Sequence, residues 1–269
     1  MVSLPVDPHD IATKKQILCQ EMPSSEGGVS GMLVRHGSAF GILYATHIAN
    51  EGFQRFSISH ELGHYFLEGH PEAVFKNGAY HESRAGYVSN DKYEIEADQF
   101  ASGLLMPNFL FDPALDKAGN GMEAIKSLSK LCGTSLTSTA IRYAQRTPEP
   151  AAIVVSIGDV VDYCFMSDEL KEYPEITWLK KGARVPRNTK TFDFNRDDNN
   201  VRYSSESEGS VDIVSWFGGR IDGELYEEVI GLGEYGKTLT VLTGADLPDV
   251  EEIEEEHELE ESWTPRFRR

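Results

Sequence analysis

The chain has 269 residues, enough for a sizeable core and for two domains, and its 40% hydrophobic and 26% charged content is that of an ordinary globular protein. A formal charge of −19, still −12 without the acidic segment 246–269, repels nucleic-acid phosphates over most of the surface and disfavours direct nucleic-acid binding. No apolar run approaches the roughly 20 residues that span a bilayer, nothing near Met1 reads as a signal peptide, and three scattered cysteines are too few for a disulfide framework. A cytoplasmic protein with reduced thiols and no membrane segment is expected.

Along the chain, residues 8–22 read as a short amphipathic helix that stops near Pro23. Two strands follow, Gly31–Arg35 and Phe40–Ala45, separated by the turn-like His36-Gly37-Ser38. A helix is predicted from about Glu51 to Leu67, ended by Gly69-His70-Pro71. Residues 69–92 are polar and glycine-rich and read as a long connection, of the kind that is often functional. The helical period returns from Lys92 to Met106, with Ala97, Phe100, Ala101, Leu104 and Leu105 in one stripe, and Pro107 ends it. Residues 122–146 read as two helices joined at Gly133-Thr134-Ser135. Beyond Thr147–Pro150 the pattern turns to strands: Ala152–Ile157 and Val160–Phe165 around the hairpin signal Gly158-Asp159, then Val211–Phe217 and Thr238–Leu242, with a helix near Leu225–Leu232. The run from Asp249 to Glu261 is low-complexity and acidic.

The strongest chemical signal is His60-Glu61-Leu62-Gly63-His64 on a predicted helix. Histidines at i and i+4 share one helix face, so both imidazoles can reach a single zinc ion. Glu61 is turned about 100° from His60; it cannot easily ligate the same metal but can act as general base on water there. Thirty residues past His64 comes Glu94-Ile95-Glu96-Ala97-Asp98, again helical, with Glu94 and Asp98 at i and i+4. A catalytic zinc takes three protein ligands and keeps one position open. Glu94 can be the third, with Glu96 the alternative that helix register leaves open. Asp98 can accept a proton from the far nitrogen of a liganding histidine.

The stretch Gln54 to Tyr65 resembles the metallopeptidase motif of the ImmA/IrrE family, and so does Glu94-Ile95-Glu96-Ala97-Asp98-Gln99-Phe100-Ala101-Ser102-Gly103-Leu104-Leu105-Met106-Pro107. The resemblance is strong over residues 30–110 and extends to 147. It implies a gluzincin-type zinc endopeptidase in which the first acid of E-x-x-x-[DN] is the ligand, which selects Glu94. It also implies an α+β fold: a thermolysin-like minimal core of a small sheet and two metal-bearing helices, then a helical hairpin and a β-rich C-terminal domain. Family members are typically bacterial or phage regulators that cleave a repressor, often a helix-turn-helix transcription factor, and so switch genes on after stress. The peptide substrate would pair with an edge strand, for which Phe40–Ala45 is the candidate. Members commonly carry a histidine four residues past the motif, where this chain has Glu68, with His70 two further on.

These readings divide the chain into a peptidase domain (1–115), a helix-turn-helix-like segment (116–147), a β-rich accessory or sensor-like domain (148–247) and an acidic tail (248–269). An oxyanion-stabilising group is also needed, and His70, Tyr80, His81, Arg84 and Tyr87 are the candidates, with His81 and Tyr80 favoured. Segment 116–147 carries five basic and two acidic residues, but helical hairpins more often pack or dock than read DNA. His36, His47 and His257 have no ligand spacing. Two alternatives stay open: a contact regulator with a structural zinc, and a direct DNA-binding regulator.

Overall fold

The computed structural model describes residues 3–22, 28–84, 91–250 and 253. The fold is α+β, with two separate sheets. The chain divides into two compact units: Met1–Gly119 with Ala124–Arg142, and Asn120–Glu123 with Tyr143–Arg269.

The first unit opens with helix α1 (Pro8–Lys14), capped by the Asp7 side chain, and strand β1 (Leu18–Met22). The single helix expected over residues 8–22 is therefore a helix and a strand. The cause is tertiary, since β1 is fixed by parallel pairing with β3 (Ala39–Ala45), from Leu18 opposite Gly41 to Met22 opposite Ala45. Strand β2 (Val29–His36) forms a hairpin with β3, and Gly37 at φ +61° supplies the left-handed residue of its turn. Helix α2 (Glu51–Phe66) is capped by Asn50, whose side chain accepts from the Phe53 amide at 3.0 Å.

The connection after α2 is more ordered than its composition suggests. It holds a short helix α3 (His70–Val74) and a strand β4 (Tyr80–Arg84) antiparallel to β2. The sheet order is β1-β3-β2-β4. Strand β3 is thus interior, which corrects its expected role as the edge; β4 is the edge strand on the other side of β2. Helix α4 (Lys92–Leu105) is capped by Asp91, and α5 (Asn108–Ala118) follows Pro107. Leu33, Ile42 and Tyr44 of the sheet pack with Ile58 and Leu62 of α2, joined by Phe100 and Leu104 of α4. Alternation of in-facing residues on the strands and the i, i+4 pair on α2 build this core.

Helices α6 (Gly121–Cys132) and α7 (Leu136–Arg146) flank a turn at Gly133, as expected, and the division between units falls within both. In the first unit, Arg142 donates to the Met106 carbonyl at 3.0 Å and to the Asn108 side chain.

The second unit is built on strands β5 (Ala151–Ile157) and β6 (Val160–Met166), then short helices α8 (Asp168–Lys171), α9 (Lys190–Phe194) and α10 (Asp198–Arg202). Strand β7 (Glu206–Asp212), helix α11 (Ile213–Phe217) and strands β8 (Glu224–Gly231) and β9 (Thr238–Asp246) complete it. All neighbours in the order β6-β5-β9-β8-β7 are antiparallel. Two expectations are corrected here: the helix expected near Leu225–Leu232 is strand up to Gly231, and the strand expected over 211–217 gives way to α11 after Asp212. Most of the acidic tail lies outside the described residues.

Candidate metal centre

Helix α2 is buried over the whole of Ser57–His64, so the motif lies inside the unit rather than on its surface. Burial all round requires internal partners for every polar group. Ser57 and Ser59 donate to the carbonyls one turn back, Phe53 at 3.1 Å and Arg55 at 2.8 Å. The histidines and Glu61 are left to find partners elsewhere.

Close approach of α4 supplies them. Gly63 makes the approach possible, since a Cβ there would lie 3.1 Å from the Ala97 Cα and 3.3 Å from its carbonyl oxygen. Across this contact Glu94 faces both histidines, with Oε2 3.2 Å from His60 Nε2 and Oε1 3.4 Å from His64 Nε2. The two Nε2 atoms are 3.0 Å apart. His60, His64 and Glu94 each offer one atom, all within 4.8 Å of one another.

The outer faces are held as well. His60 Nδ1 lies 2.8 Å from Asp98 Oδ1, and His64 Nδ1 lies 3.2 Å from His70 Nδ1. His70 is fully buried, and its Nε2 lies 3.0 Å from Glu96 Oε2. The two glutamates of the second motif therefore have different partners: Glu94 meets the motif histidines, Glu96 meets His70. Sequence reasoning missed this role for His70 because the spacing departs from the pattern by two residues, and α3 supplies the difference. Gly69 at φ +80° starts that short helix and turns the histidine back under α2.

Among the oxyanion candidates, His81 on β4 lies closest to the ligands. Its Nε2 is 2.9 Å from Glu94 Oε1, and its ring centroid is 4.6 Å from that of His64. Tyr80 and Arg84 are exposed, His70 is buried behind His64, and Tyr87 lies outside the described residues. Beside Glu94 and His81 is a cleft of about 460 Å³, lined also by Ala73, Val74, Lys76 and Tyr93.

Glu61 is fully buried, and among the described residues neither carboxylate oxygen has a hydrogen-bond partner. Gly31 of β2 makes room for it, since a Cβ there would fall 2.6 Å from Glu61 Oε1. That glycine was invisible as a site residue in the sequence. Burial raises the Glu61 pKa, opposed by His60, Ser83 and His81. Burial would lower the pKa of His60, but hydrogen bonds to Asp98 and Glu94 and the field of Glu61 outweigh it and raise it to about 10. Burial lowers His64 to about 4, with Glu94 opposing. For Glu94 burial favours the neutral acid, yet contacts with His60, His64 and His81 hold it well below the usual carboxylate range.

Two imidazoles and one carboxylate that can reach a common point are a donor set suited to a metal ion. Glu61 fits the same reading, because a buried polar group with no hydrogen-bond partner among the described residues marks a place where function outweighs stability. The residues present can hold a metal ion. Cys19, Cys132 and Cys164 are free thiols and none belongs to the cluster.

Residues 12–143 match the family model described as the IrrE N-terminal-like domain, a peptidase family. Among solved structures, a Mycobacterium tuberculosis transcriptional regulator is similar with a TM-score of 0.54 at 14% identity, over 89% of this chain and 69% of that one. Likeness at that identity concerns the fold. No curated protein matches in sequence. No helix among the described residues is long and apolar enough to cross a membrane.

Proposed function

We propose that the chain belongs, through residues 12–143, to the IrrE N-terminal-like peptidase family, and that it is a zinc-dependent endopeptidase that cuts a specific regulatory protein. The observation that carries this is the convergence of His60, His64 and Glu94 beside a buried, unpartnered Glu61. Bound zinc supplies Lewis-acid polarisation of water and of the scissile carbonyl. Asp98 keeps a proton on His60 Nδ1, so that Nε2 presents a lone pair inward. Glu61 takes a proton from the attacking water and delivers it to the departing amine as the C–N bond breaks. His81, beside the ligands on β4, donates to the carbonyl oxygen as negative charge builds on it.

An extended peptide is the substrate form that suits the site. Strand β4 pairs on one side with β2 and, among the described residues, with no strand on the other. Main-chain pairing along that free edge would pass His81 and bring a peptide bond toward Glu94 and the two histidines. A helix-turn-helix repressor is the substrate class we favour. This rests on the family resemblance, and the neighbour titled a transcriptional regulator is consistent with a regulatory setting. DNA reading by α6 and α7 is the weaker alternative. Arg142 is already committed to Met106 and Asn108, and Thr139 and Ala140 are fully buried.

The test is incubation of the zinc-loaded chain with the helix-turn-helix repressor encoded nearest to it, followed by mass spectrometry of the fragments. One cut at a defined bond, stopped by a chelator and restored by zinc, is expected. An intact repressor under conditions where zinc is bound would refute the assignment.

A further inference from the structure

We infer that Glu96, acting through His70, sets the tautomer of His64 and so keeps its Nε2 bare to receive the metal. The inference rests on His60, His64 and Glu94 as the ligand set, and it assigns positioning roles to two residues outside that set.

With one proton on the His70 ring, the distances leave two arrangements to choose between. His64 Nδ1 and His70 Nδ1 are 3.2 Å apart, so one of them carries the shared proton and the other accepts it. Glu96 Oε2, 3.0 Å from His70 Nε2, is a carboxylate and only accepts. A proton on His70 Nε2 satisfies that contact and leaves the Nδ1 of neutral His70 as an acceptor. His64 Nδ1 must then be the donor, which leaves His64 Nε2 with a lone pair, 3.0 Å from His60 Nε2 and 3.4 Å from Glu94 Oε1. In the reverse arrangement His70 donates from Nδ1, and neutral His64 is protonated at the nitrogen that the metal needs.

Glu96 decides between these two, because only the first sets an N–H rather than a lone pair against its oxygen. Its other oxygen, Oε1, lies 3.4 Å from Lys92 Nζ one helical turn earlier, an exposed contact that orients the carboxylate. His64 and His70 are both fully buried, so water cannot take over either proton. Tyr93 packs edge-on against the His70 ring at 5.0 Å between centroids and holds its plane. His60 reaches the same result in one step, through Asp98. The two ligand histidines are thus held by carboxylates at Glu96 and Asp98, on either side of Ala97, one directly and one through a buried imidazole.

The experiment is long-range ¹H–¹⁵N NMR of the histidine side chains in the metal-free full chain, with zinc affinity measured by chelator competition. In the parent, His64 should show a protonated Nδ1 and a bare Nε2. Glu96→Ala removes a side chain that is partly exposed on α4 and leaves a good helix former, so folding is not at stake. We expect His64 to move toward the Nε2-protonated form and zinc affinity to fall by about 10–100-fold, the usual loss when a ligand's supporting partner is removed. Glu96→Asp should restore part of both. Unchanged His64 nitrogen shifts in Glu96→Ala would overturn the inference, whatever happens to activity. If Glu96→Ala lost the metal outright while Glu94→Ala kept it, Glu96 would be a ligand and the inference would fall together with the ligand set. The tautomer is read without metal, so a failure of the parent to bind zinc would fall on the proposed function alone.

Discussion

The closeness of the two helices that carry the candidate ligands can be tested at one atom. Gly63→Ala places a Cβ 3.1 Å from the Ala97 Cα and 3.3 Å from both the Ala97 oxygen and the Phe100 Cβ, so α4 must retreat by a few tenths of an ångström. Gly103→Ala, on α4 itself, adds the same atom where nothing lies within 4 Å. Both exchanges gain helix propensity of about 0.8–1 kcal/mol. Gly63→Ala also carries the cost of overpacking, about 1–3 kcal/mol, and that cost is the expected difference between the variants. Urea unfolding should find Gly103→Ala as stable as the parent or more so, and Gly63→Ala lower by that margin. Ala97 lies between Glu94 and Asp98, so its retreat should also weaken zinc binding in Gly63→Ala alone. Equal stability and equal zinc affinity for the two variants would refute the claim that this contact sets the ligand geometry.

Three further outcomes follow from the same arrangement. Zinc binding should release about one proton near pH 7, because His60, with its pKa raised to about 10, is protonated in the metal-free protein while His64, lowered to about 4, is not. Affinity should then climb about tenfold per pH unit from roughly 7 to 9, and calorimetry in buffers of different ionisation enthalpy would show otherwise if no proton were released. Asp98→Ala should weaken zinc by about 10–100-fold while leaving the fold intact, since the Asp98 side chain is largely exposed; unchanged affinity in a competition titration would count against its role on His60. Replacing Cys19, Cys132 and Cys164 together by serine should leave zinc stoichiometry unchanged by elemental analysis, and a drop would reveal a missed thiolate.

The site was legible where its chemistry and its helix periodicity coincide. Helices α2 and α4 are long enough for the helical period to be read, and their i, i+4 pairs give the faces on which His60, His64, Glu94 and Asp98 stand. The parts supplied by short or polar segments were hidden. Strand β4 reads Tyr-His-Glu-Ser-Arg, with no apolar alternation, because one edge is open and its pairing with β2 is tertiary. Strand β8 looked helical because its in-facing row is Leu225, Glu227 and Val229, all buried, with a charge where alternation demands an apolar residue. Glu227 is tolerated there because it accepts from the Lys190 and Thr191 amides at 3.0 and 2.8 Å and from the Thr191 hydroxyl at 2.6 Å. The five residues of α11, apolar but for one serine, are too few for periodicity to separate helix from strand.

The central claim, that this centre breaks peptide bonds, rests most directly on Glu61. Glutamine keeps the size of the side chain and one oxygen but cannot accept a proton as a carboxylate does. Glu61 is not among the three converging residues, and among the described residues neither of its oxygens is hydrogen-bonded, so the change should leave zinc and fold in place. Cleavage of the proposed repressor substrate by Glu61→Gln should be about 10²–10⁴-fold slower than by the parent at equal zinc content, the usual contribution of a general base. In cells, genes under that repressor should stay silent. Cleavage at the parental rate, or derepression without cleavage, would contradict the account and leave a regulator that acts by contact.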